Sequence, residues 1–240
     1  MSRYRSGKSL DTSAKTLQGV VALQDLPDDV RHRLESNCSW HRFEPPGEIV
    51  GYQDKSRDVF FIANGRVRAV IYSASGTVVA FRDLGAGQMF GEFSAIDGEL
   101  RSASIEAVEP SIIAQMSCDA FWKLILAEPA VTRAVLVHLT KMNRALSMRV
   151  YEFSTLTVQN RIHAELLRLA RDNQAIGTSV KIPKLPTHAD IASSISTHRE
   201  AVSRELTRLA KLGIVERHGG ALVIPDIERL ARMVEQAIRE

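Results

Sequence analysis

The sequence predicts an α+β chain in three parts: a β-rich N-terminal domain, one long helix, and a C-terminal winged helix-turn-helix domain. Three observations carry this. Between Trp40 and about Met116, short runs rich in Val, Ile, Phe and Tyr alternate with turn residues. From Pro129 onward neither proline nor glycine appears until Gly177, and apolar residues recur in steps of three and four. After Leu185, two helix-start signatures ten residues apart precede a Gly-Gly hairpin signal.

Taken in order, residues 1–18 carry four basic residues against one acid and read as a flexible basic arm. The first domain is expected over 19–128. Leu26 to Asn37 and Asp119 to Leu126 have helical patterns that flank its strands. The strands include VFFIA (59–63), VRAVIY (67–72) and TVVAFRDL (77–84), separated by Asn64-Gly65, Ser75-Gly76 and Gly85-Ala86-Gly87. Many short strands at this spacing suit a sandwich or small barrel. The long helix and hinge occupy 129–157. Its narrow seam of Leu136, Leu139, Asn143, Leu146, Val150 and Phe153 favours a homodimer over a helix packed on its own β domain. Residues 158–240 form the last domain. A helix from Val158 to Ala170 leads to capping boxes at Thr187–Asp190 and Thr197–Glu200, which start a short helix and then a second one ending near Gly213. Two β-prone arms around Gly219-Gly220 form the wing, and Asp226 to Ile238 closes the domain as an amphipathic helix.

Composition excludes several classes. No apolar run approaches the ~20 residues of a membrane span. The first residues lack the apolar stretch of a secretory leader, and Cys38 and Cys118 are isolated, so the expected compartment is the cytoplasm, without disulfides. The histidines form no metal or triad pattern, and neither a metal nor an enzyme is expected. Ser6-Gly7-Lys8-Ser9 imitates the end of a phosphate loop, but position 2 is Ser and no strand precedes it. Net charge is +3 in 1–18, −3 in 19–157 and +3 in 158–240, which permits a nucleic-acid partner.

The stretch FGEFSAIDGELRSAS (90–104) sets Gly91-Glu92 beside Arg101-Ser102. A glycine admits close approach of a ligand, and the free N–H groups of a short helix over FSAID attract an anion. Arg101 offers a planar cationic fork, Ser102 a hydroxyl, and Glu92 an acceptor for a sugar hydroxyl. Those groups suit one compact phosphate on a sugar; a tie between Glu92 and Arg101 across a hairpin is the competing reading.

That stretch closely resembles the phosphate-binding cassette of cyclic nucleotide-binding domains, Gly-Glu-(Leu/Phe) followed by Arg-(Ser/Thr)-Ala. From about residue 20 onward the chain resembles the cyclic AMP receptor protein (Crp/Fnr) superfamily of transcription regulators, with cassette, seam helix and winged helix in the family's order. The resemblance implies a jelly-roll-like β-roll for the first domain. It implies cyclic AMP as effector, with cyclic GMP as the alternative, bound by Gly91, Glu92, Phe93, Arg101 and Ser102. It also implies that polar residues of the long helix reach the purine, here Asn143 and Ser147. Asn143 serves equally well as a lone polar residue fixing the register of a dimer. Counted without gaps, the arginine that supports the cassette glutamate in the best-known member falls on Met142, with Lys141 and Arg144 as nearby substitutes.

In the second helix of the C-terminal domain, Val202, Leu206 and Leu209 form the buried stripe, which leaves Arg199, Glu200, Ser203 and Arg204 exposed. Arg suits guanine and Glu the cytosine amino group. A merely solvated face is the competing reading; Arg199/Glu200 and Arg204/Glu205 are ordinary surface pairs on that view. The family's RE…SR pattern, matched position for position, favours reading of double-stranded DNA, with Thr187, Thr197 and His198 at the backbone. The resemblance further implies a palindromic TGTGA-like site, an activator role and RNA polymerase as partner. A nucleotide-sensing module acting on a protein partner, or a family member sensing another effector, is the alternative.

Overall fold

The computed structural model describes residues 15–72, 78–173 and 175–239. Most of the basic arm, the Ser6–Ser9 motif and the Ser75-Gly76 turn lie outside the described residues. The chain divides into two compact units, Met1–Met142 and Asn143–Glu240.

The first unit is built on two antiparallel four-stranded sheets. One has the order β1-β8-β3-β6, from Ser39–Phe43, Ser111–Met116, Val59–Asn64 and Met89–Phe90. The other has the order β2-β7-β4-β5, from Gly47–Val50, Ser104–Ala107, Arg66–Tyr72 and Val78–Gly85. Strand β3 explains the layering. Its side chains alternate, and both faces are apolar. Phe60 and Ile62 face the core between the sheets with Ile49, Val67, Ile105 and Ile113. Val59 and Phe61 face a second core, covered by helices. That cover comes from α1 (Asp28–Asn37), α3 (Cys118–Ala127) and the first turns of α4 (Pro129–Thr155), through Phe121, Leu124, Val131 and Val135.

Leu17 does not behave as part of the expected loose arm. It is fully buried in the helix-covered core, and its N–H donates to Glu35 at 2.7 Å. Its apolar side chain anchors the chain one turn before the Val21–Leu23 3-10 helix. Burial pushes the Cys38 thiol up to about 12, with Glu35 adding to the shift, so Cys38 is a protonated packing group.

The second unit holds the end of α4, then α5 (Val158–Arg171), α6 (His188–Ser194), α7 (Arg199–Lys211) and α8 (Ile227–Arg239). Its sheet has the order β11-β12-β10-β9, from Glu216–His218, Ala221–Ile224, Ser179–Ile182 and Ala175–Ile176. The two strands before α6 were not legible as β in the sequence; β10 is held by its pairing with β12. The hairpin turn at Gly219-Gly220 has φ +54 and +90, a pair of left-handed residues that only glycine adopts cheaply.

Candidate functional site

The stretch 90–104 folds as a cradle. Gly91 is the N-cap of α2 (Glu92–Asp97), in the left-handed region at φ 84. A Cβ there would lie 2.7 Å from Arg101 Nη1 and 2.8 Å from the Asp58 carbonyl, so space and backbone both demand glycine. Arg101 is only 3% exposed. Its Nη1 donates to the Gly91 carbonyl at 2.8 Å, Nη2 to the Asp58 carbonyl at 2.8 Å, and Nε to Ser56 Oγ at 3.1 Å. The guanidinium also sits 5.6 Å over the Phe60 ring, which stacks on Phe90. Its own backbone is fixed by the same loop, N–H to the Asp54 carbonyl and C=O from the Gln53 N–H. A buried cation needs such acceptors, and here they aim it at the start of α2.

Glu92 is buried too, and its partner is His138 Nε2 of α4 at 3.2 Å. The competing reading, a tie between Glu92 and Arg101, is not needed to hold either side chain, since each has anchors of its own. Neither Lys141 nor Arg144 takes the supporting place; both are exposed. The other end of α2 is held by α3, where Trp122 Nε1 donates to the Ala95 carbonyl at 2.8 Å. Phe93 and Ser102 are exposed at the rim of the cradle.

Along α4 the seam divides. Val131 and Val135 pack into the core of the first unit, and Leu139 is partly buried against it. Leu136, Leu146, Val150 and Phe153 are exposed. Asn143 and Ser147 are exposed as well, and Ser147 Oγ donates to the Asn143 carbonyl at 3.0 Å, which leaves the hydroxyl only as an acceptor.

In the second unit, Thr187 caps α6 with a complete capping box to Asp190. The second box is not formed. The N-cap of α7 is His198, without a side-chain hydrogen bond, because Thr197 is drawn into the turn, its N–H donating to the Ala192 carbonyl at 2.9 Å. Arg199, Glu200 and Arg204 are exposed on the outer face, with Ser203 half-buried between them. Val202, Leu206 and Leu209 are buried as the stripe predicts. Glu205 departs from expectation: it is 3% exposed, with His163 Nε2 of α5 at 2.6 Å and Arg208 at 2.6 Å. Burial alone would raise its carboxyl, but the bonds from Arg208 and His163 outweigh it and hold the group below the ordinary range.

Residues 41–128 match the family model of the cyclic nucleotide-binding domain, and residues 160–233 that of the Crp-like helix-turn-helix domain. The chain is 30% identical to the cyclic AMP receptor protein of Thermus thermophilus, over 77% of this chain and 83% of the relative. It is 27% identical to the cAMP-activated global transcriptional regulator CRP of Pasteurella multocida, over 79% and 91%. The chain belongs to the Crp/Fnr family. Among solved structures, a CooA mutant from Carboxydothermus hydrogenoformans superposes with a TM-score of 0.77 at 18% identity, covering 92% of this chain and 98% of that one. The chain is thus a Crp/Fnr-type transcription regulator with a cyclic nucleotide-binding domain, and its helix-turn-helix domain indicates DNA binding. Sequence reasoning missed His138, although a signal was present. It lies four residues before Met142, on the same face of α4 one turn earlier. His163 carried no such signal, since its partner Glu205 is 42 residues away.

Proposed function

We propose that this regulator is a homodimer that binds cyclic AMP in the 90–104 cradle and, so loaded, binds inverted repeats of a TGTGA-like half-site. The observation that carries the reading is Arg101, a buried guanidinium pinned against Gly91, the N-cap of α2. A cyclic phosphate at that point meets the cation, the helix N–H groups and Ser102 together. Glu92, steadied by His138, accepts from the ribose 2′-hydroxyl. Asn143 and Ser147 serve the purine, and Gly91 and Phe93 supply backbone. The exposed residues Leu136, Leu146, Val150 and Phe153 of α4 form the seam between two copies, which gives the protein the twofold symmetry of its site. Arg199, Glu200, Ser203 and Arg204 read base edges, while Thr187, Thr197 and His198 meet the backbone.

Calorimetric titration with cyclic AMP and cyclic GMP tests the effector. Tighter binding of cyclic GMP would reassign the base contact, and silence with either nucleotide would remove the effector from the reading. A mobility-shift series with single base-pair changes, with and without nucleotide, tests the DNA half. Equal affinity for the palindrome and scrambled DNA with ligand present would leave the α7 face without a reading role.

A further inference from the structure

Two side chains from separate elements, His188 of α6 and Arg217 of β11, meet beside Arg199 of the α7 reading face. Arg217 of β11 places Nη2 2.8 Å from Nε2 of His188, the first residue of α6. An arginine can only donate, so Nε2 must be the acceptor, and the ring proton sits on Nδ1. His188 is therefore a neutral imidazole in the free protein. Arg199, at the start of α7, adds a second positive field. Burial, then Arg217, then Arg199 hold the His188 pKa below its ordinary value.

Two carboxylates of the neighbouring elements have contacts of their own, and a third is exposed. On the same helix, Asp190 accepts from the Thr187 N–H and hydroxyl in the capping box. On the wing, Glu216 meets His218 at 2.9 Å. On α7, Glu200 is exposed in the first turn. Gathering Arg217 and Arg199 around an imidazole costs like-charge repulsion in the free protein, and an incoming anion reverses that cost.

We propose that His188 and Arg217 form a binding site for one DNA backbone phosphate, and that this site takes up a proton as DNA binds. The inference rests on the DNA-binding reading of the second unit. Arg217 turns its donor from the imidazole to the phosphate, the freed Nε2 accepts a proton from solvent, and His188 then donates to the phosphate as a cation. The site positions the wing against α6 and α7 and reads no base.

Anisotropy titrations of the full chain with saturating cyclic AMP, on the palindromic duplex and a scrambled duplex of equal length, test it between about pH 5.5 and 8, where an imidazole titrates. Wild-type affinity is expected to rise as pH falls, by up to roughly tenfold per pH unit for one proton. His188→Gln should flatten that rise. Arg217→Ala should weaken both duplexes alike and make the salt slope shallower by about 0.9. An unchanged pH slope in His188→Gln, or an unchanged salt slope in Arg217→Ala, overturns the site while DNA binding stands. Failure of the wild type to bind either duplex overturns the DNA reading and the site together.

Discussion

In the first unit the candidate ligand cation is buried: Arg101 is 3% exposed and held by two carbonyls, a serine and an aromatic face. In the second unit the candidate reading cations, Arg199 and Arg204, stand in solvent, and the buried charge on the same helix is an anion, Glu205. The contrast follows from the size of what each surface must hold. A compact phosphate enters a cradle, so its cation must be desolvated and aimed beforehand. A DNA duplex is a surface larger than the domain, so its cations stay hydrated and mobile while the helix that carries them is made rigid from below. A network of buried carboxylates and half-buried arginines extends this support. Arg168 bonds Glu152 at 3.0 Å and Glu165 at 2.7 Å, and Arg149 bonds Glu165 at 3.2 Å and the Ser194 carbonyl at 3.0 Å. The last turns of α4 are thereby tied to α5 and to the end of α6.

The largest expected break is in that support. Glu205→Ala leaves His163 buried without its acceptor, and breaking a buried pair costs about 3–5 kcal/mol. Chemical denaturation should show this loss in the second unit and spare the first. The pH dependence has a definite sign. The Glu205 carboxyl is depressed in the folded state, so its stabilisation is present above the unfolded carboxylate pKa and fades as pH falls through the lower folded value. Glu205→Gln should therefore lose part of the wild type's acid sensitivity. A second unit equally stable in wild type and Glu205→Ala would mean that α7 is held by its apolar stripe alone.

In the first unit, Arg101→Ala should cost ligand affinity, about 3 kcal/mol or roughly a hundredfold in calorimetry, provided circular dichroism shows the β domain intact. His138→Ala comes next. It removes the hydrogen bond to a buried carboxylate, about 1.5 kcal/mol or roughly tenfold. The 2′-deoxy nucleotide sharpens this, because it has no hydroxyl for Glu92 to accept. If His138 acts through that contact, its loss should hardly change the affinity for the deoxy analogue. An equal loss for both nucleotides would make His138 a packing residue of α4.

The comparison also marks where the sequence was legible. The apolar run at Val59–Ile62 and the Val202/Leu206/Leu209 stripe are local patterns, and the residues of each are buried in a core. The cassette was legible because Gly91, Glu92, Arg101 and Ser102 fall within one short stretch. Their anchors were not, because Ser56, Asp58 and His138 reach them from 43 to 46 residues away across a tertiary fold. The same limit hid His163 from Glu205, and made Glu205 read as a surface residue. It also concealed β9 and β10, which are short: β10 is held by its pairing with the distant β12, and β9 pairs only onto β10.

The smallest effects separate the two threonines that the sequence presents as equivalent helix starts. Thr187 accepts from the Asp190 N–H, and Asp190 accepts in return from the Thr187 N–H. Losing a cap of this kind costs about 1 kcal/mol. Thr197 instead precedes the N-cap His198 and uses its backbone N–H in the turn, which an alanine keeps. Thr187→Ala should thus lower the stability of the second unit by about 1 kcal/mol, while Thr197→Ala should stay within about 0.5 kcal/mol of wild type. Their DNA affinities supply the other half of the test. Because Thr197 carries little folding energy, any weakening of duplex binding in Thr197→Ala reports a lost phosphate contact and not a displaced helix. The same weakening in Thr187→Ala mixes both causes. Equal stability losses in the two variants would restore the second capping box and move the start of α7 back by one residue.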